Sequence, residues 1–127
     1  MLRTAAVNAV VPCADLGRAK RFYQSTLGLK AADDWGSQGA MFEAGKGTMI
    51  LLYPSEGAGK AVHTIAGFTV SDVEPTVKTL EAKGVKFEDY DMDEMKTDAN
   101  HIARMGGMSS AWLRDSEGNI LCVSGMH

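Results

Sequence analysis

The chain has 127 residues and a mass of 13.6 kDa, which suits one ordinary domain with its own hydrophobic core. Hydrophobic residues make up 45% of the chain and charged residues 23%, and this balance excludes a disordered or collagen-like chain. The net charge of −3 and the absence of a basic stripe give little support to a nucleic-acid or membrane partner. Composition therefore indicates a globular domain, and its function has to be inferred from the order of the residues.

The first half of the chain shows a strand, a helix and three further strands. The strands are predicted near residues 5–12, 29–34, 38–44 and 47–53. The helix begins after Asp15, a suitable N-cap residue, and ends before Gly28, a suitable C′ residue. Its apolar side chains fall on one stripe, formed by Leu16, Ala19, Phe22, Tyr23, Thr26 and Leu27.

The second half repeats the same order of elements. The strands are predicted near residues 62–70, 85–88, 107–114 and 119–125. Ser71 and Glu74 have the spacing of a capping box, Pro75 fits the first helical turn, and Gly84 ends the helix. Residues 90–104 are predicted to form a loop that holds the extra length of the second half.

The two halves correspond residue by residue. Asp15 and Asp72 are offset by 57 positions, and Gly47 and Gly118 are offset by 71. Neither half can bury both its helix and its sheet face alone, so we expect one α+β domain over residues 1–127. In it, two βαβββ modules form a curved mixed sheet with the helices outside. The expected boundaries are a first module over about 1–55, a linker over about 56–61 and a second module over about 62–127.

The two cysteines, Cys13 and Cys122, lie in apolar stretches and are too few for a disulfide framework, so both are predicted to be reduced. The apolar stretch from Ala5 to Cys13 is interrupted by Asn8 and is too short to span a bilayer. It also lacks the small-residue cleavage site of a signal peptide. We therefore expect a cytoplasmic protein.

Motifs in both modules resemble the vicinal oxygen chelate superfamily, which contains glyoxalase, bleomycin-resistance and extradiol-dioxygenase-like proteins. The first module has Asp15-Leu16, then Arg21-Phe22-Tyr23 and Leu27-Gly28-Leu29, and the second ends with the hairpin Asp115-Ser116-Glu117-Gly118-Asn119-Ile120. The resemblance covers nearly the whole chain and implies the paired-module fold and a homodimer. Because members include metal-dependent enzymes and metal-free binding proteins, it leaves the function open.

The resemblance also implies four positions for metal ligands in the mouth of the sheet. They are occupied here by Asn8, Leu51, Ile65 and Cys122. Leu51 and Ile65 have no donor atom, and one amide and one thiol do not hold a divalent ion. A shift of one residue along any strand brings in neighbours that are no better as ligands. The four positions therefore predict an apolar cavity, with no metal and no cofactor.

Five further residues are candidates for the rim or lid of this cavity. They are Tyr53, His63, Tyr90, His101 and Trp112. His63 shares strand parity with Ile65 and has a suitable pKa range for proton transfer, or it simply meets solvent at the start of a strand. Tyr53 and Trp112 either stack on a planar ligand or belong to the core or to a dimer interface.

Two other possible sites receive less support from the sequence. A metal site built from His63, His101 and the acids of residues 89–94 lacks the regular spacing of ligand motifs. The sequence Gly45-Lys46-Gly47 does not follow a strand and open a helix, as a phosphate-binding loop does.

These observations predict a protein that binds a small apolar or aromatic molecule without a metal, as in sequestration. The predicted ligand contacts are Asn8, Leu51, Tyr53, His63, Ile65, Tyr90, His101, Trp112 and Cys122. The main alternative is a lyase, isomerase or dioxygenase of the same superfamily. Such an enzyme would use non-standard metal ligands, or would use His63 as its acid or base without a metal. A structural or protein-binding module is a third alternative, and it predicts no sizeable cavity.

Overall fold

The computed structural model describes residues 1–126, and the predicted second module's last residue, His127, lies outside this range. The first module contains a strand, a helix and three strands in the predicted order. Their bounds are β1 (Ala9–Cys13), α1 (Leu16–Arg21), β2 (Lys30–Asp34), β3 (Ala40–Glu43) and β4 (Met49–Pro54). The first strand is shorter than predicted because its partner strand β4 begins at Met49, and pairing starts at Ala9 and Ile50.

The second module repeats this order and adds three short strands. Its main elements are β5 (Thr64–Thr69), α2 (Val73–Ala82), β6 (Phe87–Glu88), β10 (Met108–Arg114) and β11 (Ile120–Met126). The segment predicted as a loop over residues 90–104 contains β7 (Asp91–Met92), β8 (Met95–Lys96) and the start of β9 (Ala103–Met105). The added length therefore forms a small hairpin and an extra strand.

The hydrogen-bonded strands fall into one main sheet per module. The first sheet has the order β1-β4-β3-β2 and the second the order β5-β11-β10-β6, with β9 paired to β10. In each module the first and last main strands run parallel and the other pairs run antiparallel. Strands β1 and β5 lie next to each other at the facing edges of the two sheets. The predicted α+β fold of two modules is confirmed, with one mixed sheet in each module where the sequence analysis expected both modules to share a curved sheet.

The strand registers show that the repeat is structural. Val10 pairs with Leu51 in the first module, and Gly67 pairs with Cys122 in the second. These partners are related by the offsets of 57 and 71 that the sequence shows. The two modules therefore place corresponding residues at corresponding positions of their sheets.

The helix termini follow the sequence signals with one exception. The Asp15 side chain accepts a hydrogen bond from the Arg18 amide at 3.0 Å, as expected of an N-cap. Gly28 has a φ of +76°, the left-handed conformation of a C′ glycine. The predicted capping box of Ser71 and Glu74 is wrong. The helix begins one residue later than that motif requires, so its N-cap is Asp72, and the Asp72 side chain makes no capping hydrogen bond.

The first helix changes its winding before it ends. Residues Phe22–Thr26 form a π-helical turn after α1, with the Leu27 amide bonded to the Phe22 carbonyl at 3.0 Å. This turn carries Tyr23, which is completely buried. The predicted single apolar stripe is therefore distributed over an α-helical part and a π-helical part.

The core lies between the helices and one face of each sheet. In β1, Val11 and Cys13 are fully buried while Val10, immediately before Val11, is 56% exposed, so alternate residues face opposite sides. The sheet faces turned away from the helices are called the open face below. It carries Val10, Leu51 and Tyr53 in the first module, and Gly67, Trp112, Cys122, Met108 and Met126 in the second. Within residues 1–126, no helix is long and apolar enough to cross a membrane.

Candidate functional site

Three side chains meet on the open face of the second sheet. Trp112 lies directly opposite Cys122 in the β10–β11 ladder. The Tyr90 ring meets the Trp112 ring edge-on, with centroids 5.3 Å apart and planes at 89°. All three residues are partly buried, and burial raises the pKa of Tyr90 with a further contribution from Glu88. We call Tyr90, Trp112 and Cys122 the aromatic corner.

The thiol in the aromatic corner is not activated. Burial raises the pKa of Cys122 and outweighs hydrogen bonds with Ser110 and Ala111 that lower it. The thiol is therefore protonated near neutral pH, whereas nucleophilic and metal-binding cysteines act as thiolates. In this state Cys122 serves as a small apolar contact surface.

A cavity of about 510 Å³ lies where the two modules meet, next to the facing strands β1 and β5. This size is within the range of small-molecule sites. We call it the seam cavity, and it is lined by Val7, Asn8, Ala9, Ala44, Gly45, Lys46, Thr48, Met49, Ile50, Ala66, Gly67, Phe68 and Thr69. Most of these residues present apolar side chains or backbone to the cavity.

Gly67 connects the seam cavity with the aromatic corner. It lines the cavity and pairs with Cys122, and a Cβ atom added to it would lie 4.0 Å from the Cys122 Cβ. The corresponding residue of the first module is Val10. The second module therefore leaves open the space that a side chain fills in the first.

Four of the predicted ligand contacts lie at different places on the two sheets. Asn8 is exposed and lines the seam cavity. Leu51 and Tyr53 stand on the open face of β4, with Leu51 partly buried and Tyr53 38% exposed. Ile65 lies at an irregularity in the β5–β11 pairing and packs against the core.

The two histidines that the sequence analysis predicts as ligand contacts lie apart from the aromatic corner. His63 is exposed immediately before β5 and has no hydrogen-bond or ion-pair partner in the part of the chain that the structure describes. The His101 ring stacks on Phe87 at 6.4 Å, and Phe87 pairs with the buried Leu113. Since Leu113 faces the core, His101 lies on the helix side of the second sheet, opposite to Trp112.

His101 is held there by carboxylates. Its Nδ1 lies 2.7 Å from an Asp89 oxygen, and its Nε2 lies 3.4 Å from an oxygen of Glu81 on α2. The hydrogen bond with Asp89 raises the pKa of His101, partial burial opposes this, and the charges of Asp89, Glu81 and Asp98 add to the rise. His101 therefore joins the 89–101 segment to α2.

The donor set does not fit a metal ion of the kind that the superfamily implies. Of the four positions assigned to ligands, Leu51 and Ile65 have no donor, and Cys122 keeps its proton. Over residues 1–126, no three His, Cys, Asp or Glu side chains are grouped so that they could hold a metal. This includes the alternative set of His63, His101 and the acids of residues 89–94.

A buried polar network between the modules was not expected from the sequence, which indicated only a turn at residues 115–119. The Tyr23 hydroxyl donates to Asp115 Oδ2 at 2.5 Å. Asn119 Nδ2 donates to the Pro12 carbonyl at 2.9 Å, and its Oδ1 accepts from the Gly59 amide at 3.0 Å. The hairpin turn of the second module is thereby fixed to the helix, first strand and linker of the first.

This network shifts the ionisation of the groups within it. Burial alone would raise the pKa of Glu117, but hydrogen bonds from Arg18, the Asp15 amide and Ser116 lower it to about 2. Burial, aided by the charges of Glu117 and Asp115, raises the pKa of Cys13 to about 12. Burial and Asp115 also raise the pKa of Tyr23. The network therefore contains a fixed negative charge at Glu117.

The family of the chain follows from its sequence and agrees with its fold. Residues 5–123 match the family described as the Glyoxalase/Bleomycin resistance protein/Dioxygenase superfamily, and the chain belongs to this superfamily. The predicted resemblance is confirmed. No curated protein sequence matches the chain.

Solved structures show the same fold over nearly the whole chain. UcmS2 has a TM-score of 0.76 at 18% identity, covering 96% of this chain and 98% of its own. Lactoylglutathione lyase from Agrobacterium tumefaciens has a TM-score of 0.74 at 22% identity, covering 98% and 96%. TnmS3, an antibiotic binding protein from Streptomyces sp. CB03234, has a TM-score of 0.66 at 20% identity, covering 100% and 99%. At these identities the similarity establishes the fold alone.

Proposed function

We propose that this protein binds a small, largely apolar or aromatic molecule without a metal, in the seam cavity and along the aromatic corner. The observation that carries the proposal is Gly67. It lines a cavity of about 510 Å³ on one side and adjoins Cys122 of the aromatic corner on the other. Because position 67 carries no side chain, a ligand in the cavity can extend over Gly67 and the small Cys122 side chain toward the rings of Trp112 and Tyr90.

The chemistry of the lining supports an aromatic or apolar ligand. Small-molecule sites are mostly apolar with a few polar groups that set orientation. The seam cavity has this composition, and the Asn8 amide supplies both a donor and an acceptor at its wall. Trp112 and Tyr90 offer ring faces and edges for stacking. An antibiotic binding protein has the same fold, which is compatible with a role in sequestration.

Binding accounts for these groups better than catalysis does. Cys122 is the one potential nucleophile in the aromatic corner, and burial raises its pKa. His63, proposed as an acid or base in the enzymatic alternative, is exposed and does not line the seam cavity. Leu51 and Tyr53 extend the proposed binding surface along the open face.

We further propose that a second copy of the chain covers part of the open face. Apolar side chains on it are strongly exposed, with Val10 at 56%, Tyr53 at 38%, Met108 at 36% and Met126 at 77%. Exposed apolar groups that share one surface commonly mark an interface. A homodimer would cover these groups and close the site from above.

The binding proposal can be tested with the fluorescence of Trp112. A Trp35→Phe variant leaves Trp112 as the only tryptophan, and naphthalene-1-carboxamide serves as a neutral aromatic probe. We expect saturable quenching. A Gly67→Val substitution, which restores the residue type of Val10, should weaken binding at least about tenfold because it narrows the passage to Cys122.

Gly57→Val in the exposed linker is the matched control, and it should bind the probe as the parent does. Absence of saturable quenching would contradict the proposal. Equal affinities for the Gly67→Val and Gly57→Val variants would also contradict it, since the ligand would then not pass Gly67.

A further inference from the structure

Lys46 gives the seam cavity its only charged side chain among the described residues that line it. It lies on the turn Gly45–Gly47 between β3 and β4. The other lining side chains are apolar or neutral, and the polar ones are Asn8, Thr48 and Thr69. A ligand in this cavity therefore meets one positive charge against walls that carry no compensating negative charge.

The backbone of Lys46 is in a conformation that lysine disfavours. Its φ of 56° and ψ of 37° are left-handed, where glycine and asparagine are the usual residues. The turn is held by other residues, since the Thr48 hydroxyl and amide both donate to the Gly45 carbonyl, at 2.6 and 3.1 Å. Lysine is thus not needed to form the turn. A disfavoured residue at a cavity suggests a role in binding.

The Lys46 ammonium group is also free to bind a ligand. Lys20 and Lys96 pair with Asp34 and Asp91 at 3.0 and 3.6 Å. Lys46 has no carboxylate partner within residues 1–126. Because the whole chain carries a net charge of −3, attraction for an anion must come from a local group of this kind.

We infer that the molecule bound in the seam cavity is an aromatic monocarboxylate. Its carboxylate pairs with Lys46, the Asn8 amide donates a second hydrogen bond, and its ring extends past Gly67 to the aromatic corner. One ammonium group balances one carboxylate, whereas a dianionic phosphate would leave a negative charge beside apolar walls. This inference rests on the proposed function, because both place the ligand in the same cavity.

The test compares two probes of the same shape, 1-naphthoate and the neutral naphthalene-1-carboxamide, by isothermal titration calorimetry. The parent protein is expected to bind the naphthoate about fivefold tighter than the amide, the upper range for a partly solvated ion pair. Lys46→Asn keeps a residue that tolerates the left-handed backbone and should abolish this preference. Raising the salt concentration from about 0.05 to about 0.5 M should weaken it in the parent.

Lys60→Asn in the linker is the control, because Lys60 is exposed and does not line the seam cavity. It should keep the parent's preference. Equal affinity of the parent for both probes, or a preference that survives in Lys46→Asn, overturns the inference and leaves the proposed function standing. If neither probe binds, both the inference and the proposed function fail.

Discussion

Arg18 of the first module and Glu117 of the second form a two-pronged ion pair. The Nε–Oε2 distance is 2.8 Å and the Nη2–Oε1 distance is 3.1 Å. The Glu117 side chain is fully buried, whereas 49% of the Arg18 side chain is exposed. Because Glu117 also accepts from the Asp15 amide at 2.7 Å, the pair fixes the last hairpin to the start of α1.

Arg18→Ala should destabilise the protein, because it removes the cation that neutralises a buried carboxylate. The matched control is Arg21→Ala on the same helix, since Arg21 is exposed and has no ion-pair partner within residues 1–126. Urea titration should show a clearly lower midpoint for Arg18→Ala and little change for Arg21→Ala. Equal midpoints would show that the ion pair does not stabilise the contact between the modules.

The ionisation of Glu117 predicts a loss of stability in acid. Its pKa falls from an ordinary value of 4.5 to about 2 in the folded state, so folding favours the charged form. The resulting stabilisation is present above the unfolded pKa near 4.5 and is lost as the pH falls toward 2. Glu117→Gln should lower the free energy of unfolding by about 1.5–3 kcal/mol at pH 7.

The difference between the parent and Glu117→Gln should therefore shrink between pH 4.5 and pH 2. Urea titrations of both proteins across this range measure it directly. A difference that stays constant down to pH 2 would contradict the depressed pKa of Glu117.

The raised pKa of His101 predicts a contribution to stability that is lost as the pH rises. The hydrogen bond with Asp89 raises its pKa above the ordinary value of 6.5, although partial burial opposes this, so folding favours the protonated ring. This stabilisation is fully present below the unfolded pKa and is lost as the pH rises through the raised folded value. His101→Asn, which tolerates the φ of 67°, should remove that dependence.

His63→Asn is the control for this experiment, because His63 is exposed and makes no described contact. Thermal unfolding from pH 5 to 9 should show the same pH dependence for His63→Asn and the parent, and a flatter one for His101→Asn. If all three proteins respond alike, the clamp of His101 by Asp89 and Glu81 does not contribute to stability.

Alanine substitutions at two glycines with left-handed backbones should lower the stability of the protein by different amounts. A Cβ at Gly59 would lie 2.5 Å from the Glu117 carbonyl oxygen, whereas a Cβ at Gly28 meets nothing within 4 Å. Gly28→Ala should therefore lower the free energy of unfolding by only about 1–2 kcal/mol, because alanine disfavours the left-handed backbone. Gly59→Ala adds a backbone clash and should cost more, as measured by urea titration. Equal losses would show that the linker can move away from the hairpin turn.

The proposed dimer predicts an effect of charge on the open face. Val10→Lys should raise the dimer dissociation constant at least about tenfold, because an interface would have to bury an unpaired charge. Val62→Lys is the control, since Val62 is 91% exposed and precedes β5. Sedimentation velocity measures both. A parent that sediments as a monomer would contradict the proposed dimer, as would equal dissociation constants for the two variants.

The sequence was sufficient to predict the repeat. Hydrophobic alternation and paired glycines are local signals, and the strand pairs Val10–Leu51 and Gly67–Cys122 keep the offsets of 57 and 71 that these signals define. Asp15 and Gly28 were predicted at the helix termini for the same reason, since capping depends on neighbouring residues.

Contacts between distant segments were not predictable in this way. Asp115, Glu117 and Asn119 have the composition of an exposed turn, and only their approach to α1 and the linker makes them buried. His101 reaches the helix side through a left-handed backbone that its sequence context does not signal. The sequence around Lys46 lacks the context of a phosphate-binding loop and gives no other sign of a site. Lys46 lines a cavity only because β5 of the other module supplies part of the wall.

The two halves of this protein differ in the size of one residue next to the aromatic corner. Where the first half has Val10, the second has Gly67, so an otherwise duplicated architecture is asymmetric next to Cys122. A scaffold made of two similar halves can therefore keep its strand pairing in both while one half carries a smaller residue beside the binding surface. In such a scaffold, a single small residue can open space for a ligand on one side only.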